Sequence, residues 1–237
     1  TIVYHFFILK VNLGDMYFIL HLYYKFLNFS CSFYLFYDII IFIMIGGFMM
    51  ELLSPVGDFD CLKAAVQNGA DAVYFGANSF SARAFASNFD DDTLAKAINY
   101  AKIRGVKTNL TLNTLIKNDE MYNAIALAKK AYEYGIDAII VQDLGLARYM
   151  IKNFPGLAVH ASTQMSVHNL EGVLTLQNMG FSRVVLSREL SIQEIEHICK
   201  NSNIEIEAFV HGALCISYSG QCLFSSMIGG RSRKSWK

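Results

Sequence analysis

Two cysteines near the end of the chain are the residues whose type and spacing most clearly suggest a chemical role. Cys215 and Cys222 lie seven positions apart, and they follow an apolar run that ends at His211. One pair at this spacing is a weak signal, because it fits a disulfide, half of a metal site or a coincidence. Soft thiolates suit zinc or an iron–sulfur cluster, and either would need further ligands. Cys61 and Cys199 fall in helical patterns and are predicted to be small core residues.

Other polar side chains of chemical interest follow the ends of short apolar runs. We expect a ligand-facing or catalytic role for five of them, namely His160, Gln164, Arg188, Glu189 and His211. The alternative for polar residues at such positions is that they cap the following helix, as expected for Asp58 and Asp143. His168 and His197 fall in segments predicted to be helical and are interpreted as ordinary surface or internally satisfied residues.

The elements that must position these side chains are seven predicted strands with helices between them. Several of the apolar runs are continuous, which is typical of strands buried on both faces of a parallel sheet. The predicted strands are 51–56, 72–76, 107–112, 138–142, 158–162, 183–187 and 206–211. Asp58, Asp90, Asp119 and Ser191 are predicted to begin helices, and Ser191 forms a capping box with Glu194.

The strand spacing predicts an α/β fold, an incomplete TIM-like (β/α)8 barrel with about seven parallel strands. An open dinucleotide-binding sheet is the alternative, but no Gly-x-Gly-x-x-Gly motif follows the first strand. Because the C-terminal strand ends of such a barrel converge at one mouth, the candidate side chains and the cysteine pair are expected there. Without an eighth strand, the first and seventh strands are expected to have unpaired edges.

Composition excludes several classes of protein. The chain holds 20 basic and 20 acidic residues and has no net charge, which argues against a basic patch for nucleic acid. Its 54% hydrophobic content excludes a disordered chain. Five cysteines in 237 residues are too few for a disulfide scaffold, so reduced thiols and a cytoplasmic location are expected.

Residues 1–48 differ from the rest in composition. They hold 15 of the 32 aromatic residues and contain no Ala, Glu, Arg, Gln or Pro. The apolar stretch 33–50 is a weak candidate for a membrane span, because it is short and Asp38 lies inside it. We favour translated upstream sequence, not a domain, since A/T-rich DNA encodes this composition and a possible ribosome-binding sequence precedes Met49 and Met50. The protein is therefore expected to begin at Met49 or Met50, with no membrane anchor.

The segment after the last predicted strand resembles the signature of the collagenase-like (PrtC-type) proteins, unassigned-peptidase family 32. The residues that carry the resemblance are Glu207, Phe209, Gly212, Cys215, Tyr218, Gly220 and Cys222. Similar motifs occur at 51–58, 69–76, 80–84, 160–164 and 187–190. The resemblance therefore covers nearly all of residues 50–232.

The resemblance implies two activities for the intact protein. The family is named for proteolysis, yet the sequence has neither a His-Glu-x-x-His zinc helix nor a Gly-x-Ser-x-Gly elbow, which leaves a Cys215–His211 pair as the imaginable machinery. Similar members are oxygen-independent hydroxylases of ribosomal RNA, transfer RNA or a ubiquinone precursor, and they hold a [4Fe–4S] cluster with four cysteines. By this resemblance Cys215 and Cys222 are two of the ligands. The motifs at 113–116 and 160–165 resemble the ribosomal-RNA branch most, so the implied substrate is RNA, or a peptide in the alternative.

The resemblance also implies that the chain is a fragment. Family members continue after the motif that ends at Ser232 with Gly-Asn-Arg-Gly and further cysteines, and a one-base shift in the codons of 233–237 restores that motif. We interpret 233–237 as a frameshifted tail and 49–232 as a truncated barrel domain. This chain is not expected to hold the cluster by itself, so an inactive fragment is the third hypothesis.

Overall fold

The computed structural model describes residues 8–10, 51–77, 79–82, 89–212 and 215–222. Within these ranges the strands are β1 (Ile8–Lys10), β2 (Leu53–Pro55), β3 (Ala72–Gly76), β4 (Lys107–Leu112), β5 (Ala138–Val141), β6 (Ala158–Ala161), β7 (Arg183–Val185) and β8 (Glu205–Phe209). The α-helices are α1 (Phe59–Gln67), α2 (Asp91–Lys102), α3 (Met121–Glu133), α4 (Leu144–Asn153), α5 (Leu170–Asn178) and α6 (Ile192–Asn201), and a short 3-10 turn covers Thr163–Met165.

The seven strands β2 to β8 are parallel and lie side by side in chain order. They form a half-barrel with helices between consecutive strands, so the predicted α/β architecture is confirmed. The prediction that the seventh parallel strand, β8, has an unpaired edge is wrong, because β1 pairs antiparallel with it, with Ile8 opposite Phe209. The origin of residues 1–48 in translated upstream sequence stays a prediction.

The two faces of the sheet bury different sets of side chains. On the helix side, Val73 and Phe75 of β3 join the large core that also contains helix residues such as Leu94. On the other side, Leu53 and Ala72 form a second cluster, with Tyr74 and Phe209 packed against it. Phe209 comes from the last strand and Leu53 from the first parallel strand, so the curvature of the sheet brings its two ends into one cluster. Burial of both faces explains the continuous apolar runs.

Five charged residues form a cluster at the N-terminal strand ends, here called the floor cluster. Its centre is Arg183, whose guanidinium lies 2.8 Å from a carboxylate oxygen of Glu51, 2.8 Å from Glu205 and 3.1 Å from Glu207. Lys107 adds a second cation, with its Nζ atom 2.8 Å from Glu51. These contacts connect residues at the starts of the first, third and last two parallel strands. Because the active sites of such barrels lie at the opposite face, a charged cluster at this face serves stability rather than chemistry.

Burial and pairing set the protonation of the floor cluster. Burial raises the pKa of the Glu207 carboxyl to about 7, although the charge of Arg183 acts to lower it. Burial also acts to raise the pKa of Glu51, but the hydrogen bond from Lys107 and the charge of Arg183 outweigh it and the pKa is lowered. Three carboxyl groups face two cations in this cluster. Glu207 is the most buried of the three, which is the physical reason that its pKa is the raised one, and the charges of Glu51 and Glu205 act in the same direction.

Most helix starts agree with the sequence. The side chains of Asp58, Asp90 and Asp143 accept hydrogen bonds from the first-turn amides of α1, α2 and α4, and Ser191 and Glu194 form the predicted capping box of α6. The predicted start of α3 at Asp119 is wrong, because α3 begins after Glu120 without a side-chain hydrogen bond at its cap.

The search for membrane-spanning helices covers the described residues alone. Among them, no helix has both the length and the apolar composition needed to cross a bilayer. The apolar stretch 33–50, which the sequence offers as a weak candidate span, lies outside the described residues.

Candidate functional site

The candidate site lies at the C-terminal strand ends, where residues 215–222 cross the turns that follow β6 and β7. These eight residues are here called the cysteine segment, because Cys215 and Cys222 are its first and last members. Both cysteines are exposed and free of disulfides, and Ser219 near the middle of the segment is only 3% exposed. The segment is therefore attached at its middle and presents both of its ends to solvent.

Arg188, which follows β7, makes the most contacts with the cysteine segment. Its backbone amide and its Nε atom both donate to the Ser219 hydroxyl, at 3.1 and 3.2 Å. Its guanidinium also donates to two carbonyl oxygens, at 3.0 Å to Ser217 and 3.4 Å to Cys215. A planar guanidinium suits this task, because its donors point in fixed directions towards several acceptors.

Glu189 holds the same serine from the other side. One of its carboxylate oxygens, Oε1, accepts a hydrogen bond from the Ser219 amide at 2.9 Å and another from the Ser219 hydroxyl at 3.3 Å. Partial burial acts to raise the pKa of Glu189, but the hydrogen bonds from Ser219 and the charge of Arg188 lower it. The carboxylate is therefore ionised at neutral pH and acts as an acceptor.

The turn after β6 provides a second attachment. The Ser166 hydroxyl donates to the Ser219 carbonyl at 2.7 Å and accepts from the side-chain amide of Gln221 at 3.0 Å. Gly220 packs so closely against this turn that an added Cβ would lie 2.5 Å from the Ser166 hydroxyl and 2.6 Å from the Gln164 carbonyl oxygen. The same Gln164 carbonyl accepts a hydrogen bond from Gln142 after β5 at 3.2 Å. Three consecutive strand ends thus support the segment.

A serine, a histidine and a carboxylate stand in a row beneath the segment. The Ser187 hydroxyl lies 3.3 Å from Nδ1 of His168, and Nε2 of His168 lies 3.2 Å from Oε2 of Glu189 without forming a hydrogen bond. The order is that of a serine hydrolase triad. However, Nδ1 is also 2.7 Å from the Ser166 carbonyl, which can only accept, so this nitrogen carries the proton. His168 then has no lone pair facing Ser187, and Ser187 is only 3% exposed.

The sequence-predicted side chains are not all brought together. Arg188 and Glu189 meet at the cysteine segment, as described above. Gln164 lies in the turn beneath Gly220 and contacts the surrounding groups through its backbone. His160 is buried within β6, opposite Arg183 in the register, and not at the rim. His211 is exposed, two residues beyond the end of β8.

The other two described cysteines are not candidate ligands. Burial raises the pKa of the Cys199 thiol to about 11, and burial together with Asp58 raises that of Cys61. Both thiols are therefore harder to ionise than an exposed thiol, whereas a metal ligand must be a thiolate. These findings agree with the prediction that both are helix residues of the core.

The site fits a soft metal centre in part. A cavity of about 230 Å³ is lined by Arg188 and Glu189 on one side and by residues Cys215 to Tyr218 on the other. The described residues contain no group of three or more His, Cys, Asp or Glu side chains that could hold a metal ion. The two exposed thiols are donors of the soft type that iron and zinc prefer, and a [4Fe–4S] cluster takes four such donors.

Sequence reasoning missed three residues that attach the segment: Ser166, Ser219 and His168, whose ring makes an edge contact with the Tyr218 ring. The sequence predicts His168 within a helix, but Ser166 adopts a left-handed conformation (φ 57°) and α5 begins only after Asn169, whose side chain caps it. Asn169 is a favourable N-cap residue, so this boundary had a local signal. The hydrogen bond between Ser166 and Ser219 joins residues 53 positions apart and had none.

The parallel half-barrel and its C-terminal mouth define the general class, an α/β-barrel protein with a cysteine-bearing segment at the strand ends. Residues 57–235 match Peptidase family U32, and the chain belongs to this family. A solved U32 peptidase, Mk0906, superposes with a TM-score of 0.55 over 64% of this chain and 65% of that one. At 15% identity, this likeness concerns the fold alone.

Curated relatives carry names of two kinds. The chain is 41% identical over 188 residues to the 23S rRNA 5-hydroxycytidine C2501 synthase of Escherichia coli (strain K12), covering 79% of this chain and 28% of the relative. It is 41% identical to the tRNA hydroxylation protein P of the same organism, covering 78% and 41%. It is 36% identical to the collagenase of Porphyromonas gingivalis (strain ATCC BAA-308 / W83), covering 74% and 44%. The chain thus spans less than half of the length of each of these relatives.

Proposed function

We propose that the intact protein hydroxylates an RNA base without using oxygen, and that Cys215 and Cys222 contribute to a [4Fe–4S] cluster. The observation that carries the proposal is the anchored cysteine segment, which presents two exposed thiols that form no disulfide at the barrel mouth. The names of the two Escherichia coli relatives support an RNA substrate. A cytoplasmic location follows from that substrate and from thiols that stay reduced.

Each part of the site has a proposed task. When bound, the cluster would supply one-electron transfer. Cys215 and Cys222 would hold it, and Arg188 with Glu189 would fix the segment that carries them. Tyr218 is 67% exposed beside the cavity and offers a ring on which an unstacked base could lie. Gln164 and His211 remain candidates for contact with the substrate, whereas the buried position of His160 within β6 argues against such a contact. The neutral charge of the chain adds no separate support for RNA.

This chain alone is proposed to lack the cluster and therefore the activity. Two thiolates coordinate two of the four iron atoms, so the remaining two would have no protein ligand. The 237-residue chain is accordingly expected to purify without colour and without this activity. The proposed reaction belongs to a protein in which further cysteines complete the cluster.

To test the proposal, the protein is expressed from a gene whose reading frame is restored after Ser232. Anaerobic reconstitution should give about four iron atoms per chain and a broad charge-transfer absorbance, both lost in Cys215→Ala and in Cys222→Ala. Cys61→Ala is the matched control, because the Cys61 side chain packs against the hydrophobic core and its loss should leave the absorbance intact. Nucleoside mass analysis of RNA from a deletion strain should show one missing hydroxyl. A repaired protein that binds no iron would refute the proposal.

Peptidase activity is the second candidate, favoured by the row of Ser187, His168 and Glu189. The proton on Nδ1 of His168 and the burial of Ser187 both argue against it, as shown above. The Cys215–His211 alternative also stays untested. Gelatin hydrolysis by the full-length protein that disappears in Ser187→Ala or Cys215→Ala, but persists in Ser217→Ala, would place the peptidase first.

A further inference from the structure

We propose that Arg188, Glu189 and Ser219 form a positioning clamp, which sets the relative placement of the Cys215 and Cys222 thiols for a soft metal centre. The nature of that centre rests on the proposed function, whereas the clamp itself rests on contacts within this chain. None of the three is a ligand or a catalytic residue in this proposal. They act through the backbone of the segment that carries the thiols.

The clamp closes on one buried residue. The Ser219 hydroxyl accepts from the Arg188 amide and Nε and donates to Glu189, while the Ser219 amide donates to the same carboxylate oxygen. All hydrogen-bonding groups of the hydroxyl are thereby used, and alanine at this position cannot replace them. Because two of the partners are charged, these hydrogen bonds are stronger than neutral ones.

Burial of Ser219 fixes the direction of its neighbours. Ser219 is 3% exposed, whereas Tyr218 and Ile216 are 67% and 105% exposed. Full exposure of the apolar Ile216 side chain is unfavourable by itself, so the hydrogen bonds to Ser219 offset this cost in holding the segment. Tyr218 is held in addition by an edge contact of its ring with His168.

Both thiols are close in sequence to the clamped residue. Cys215 precedes Ser219 by four residues and Cys222 follows it by three. On the Cys215 side, the Arg188 guanidinium also contacts the Ser217 and Cys215 carbonyls. On the Cys222 side, Ser166 contacts the Ser219 carbonyl and the Gln221 side chain. Loosening the clamp therefore changes the placement of both thiols together. The affinity for a metal centre bound by both thiols would fall as a result.

The test compares Ser219→Ala with Ser217→Ala in the 237-residue chain. Both changes remove one hydroxyl from the same segment, but the structure records hydrogen bonds to the side chain of Ser219 and only to the backbone of Ser217. Cobalt(II) serves as the probe, because thiolate coordination gives a charge-transfer band. Ser219→Ala should weaken cobalt binding about tenfold and raise the alkylation rates of both cysteines, while Ser217→Ala should change neither. Circular dichroism and the Tm check that both variants are folded.

A second pair of variants, both at Glu189, separates the effect of its hydrogen-bond geometry from the effect of its charge. Glu189→Gln keeps an oxygen that can accept from the Ser219 amide and should retain most of the cobalt affinity, whereas Glu189→Ala should lose it as Ser219→Ala does. Equal cobalt affinity and alkylation rates in Ser219→Ala and Ser217→Ala would overturn the clamp. The wild-type chain could also show no cobalt–thiolate band while Ser219→Ala is still alkylated faster. This result would support the clamp but overturn its role in metal binding. Failure of the repaired protein to bind iron would refute the proposed function and leave the alkylation result standing.

Discussion

At the scale of single residues, Gly220 combines a backbone requirement with a steric one. Its φ is +79°, in the left-handed region, and an added Cβ would collide with Ser166 and with the Gln164 carbonyl. Gly69 has a similar φ of +86° but nothing within 4 Å of an added Cβ. Gly69→Ala should therefore cost only the left-handed strain, about 1–2 kcal/mol in the free energy of unfolding.

Gly220→Ala should do more, because the collision displaces the cysteine segment from the turn after β6. We expect faster hydrogen–deuterium exchange in residues 215–222 and faster alkylation of Cys215 and Cys222. Gly69→Ala should leave both quantities at their wild-type values. Unchanged exchange of the segment in Gly220→Ala would mean that the segment does not pack on this turn.

The raised pKa of Glu207 predicts how the free energy of unfolding changes with pH. Its folded-state pKa is raised from 4.5 to about 7, so the folded protein favours the neutral carboxyl. The corresponding stabilisation is complete below about pH 4.5 and is lost as the pH rises through 7. Glu207→Gln, which stays neutral, should remove this loss. The difference in unfolding free energy between pH 5 and pH 8 should become smaller by an amount on the order of 3 kcal/mol.

Chemical denaturation at a series of pH values measures this effect. Glu205→Gln is the matched control, since Glu205 also contacts Arg183 but is more exposed. Glu51 acts with the opposite sign, because its lowered pKa gives a stabilisation that is lost as the pH falls below 4.5. The same pH dependence in Glu207→Gln and the wild type would show that Glu207 is ionised throughout.

At the scale of elements, the helix starts provide a comparison between two aspartates. The Asp143 side chain accepts from the Leu146 amide at 2.8 Å and from the Ile116 amide at 3.3 Å, so it caps α4 and holds the loop after β4. Asp119 was predicted to begin α3 and does not cap it. Asp143→Ala should destabilise the fold by about 1–2 kcal/mol, and Asp119→Ala by less than about 0.5 kcal/mol. Equal losses in thermal denaturation would show that the α3 boundary is misplaced.

Local signals in the sequence account for most of the elements and for little of the site. Asp58, Asp90 and Asp143 act on amides three residues away, and the apolar runs respond to burial on both sides, so strands and caps could be predicted. The position of Asp119 misled because Glu120 follows it and the helix begins one residue later. The contacts of Ser219 with Arg188, Glu189 and Ser166 span 30 to 53 positions and depend on the curvature of the sheet. No local pattern encodes them.

At the scale of the whole molecule, the half-barrel separates its stabilising charges from its candidate chemistry. The floor cluster lies at the N-terminal strand ends, and the cysteine segment lies at the C-terminal ends. Arg183 in β7 connects both ends of the row of parallel strands, through Glu51 before β2 and Glu207 in β8. It therefore performs, with one side chain, part of the closure that a complete barrel achieves with backbone pairing.

Arg183→Met should accordingly destabilise the entire half-barrel. The change leaves up to three carboxyl groups facing one another with Lys107 as their remaining partner, and loss of one member of a buried ion pair costs about 3–5 kcal/mol. Arg104→Met is the matched control, because Arg104 is exposed at the end of α2 and only its contact with Tyr100 is lost. The double variant Arg183→Met with Glu207→Gln should recover part of the loss, since one of the facing carboxyl groups becomes permanently neutral. Denaturant titrations of the four proteins measure these differences, and an Arg183→Met chain as stable as Arg104→Met would show that the floor cluster does not hold the ends of the sheet together.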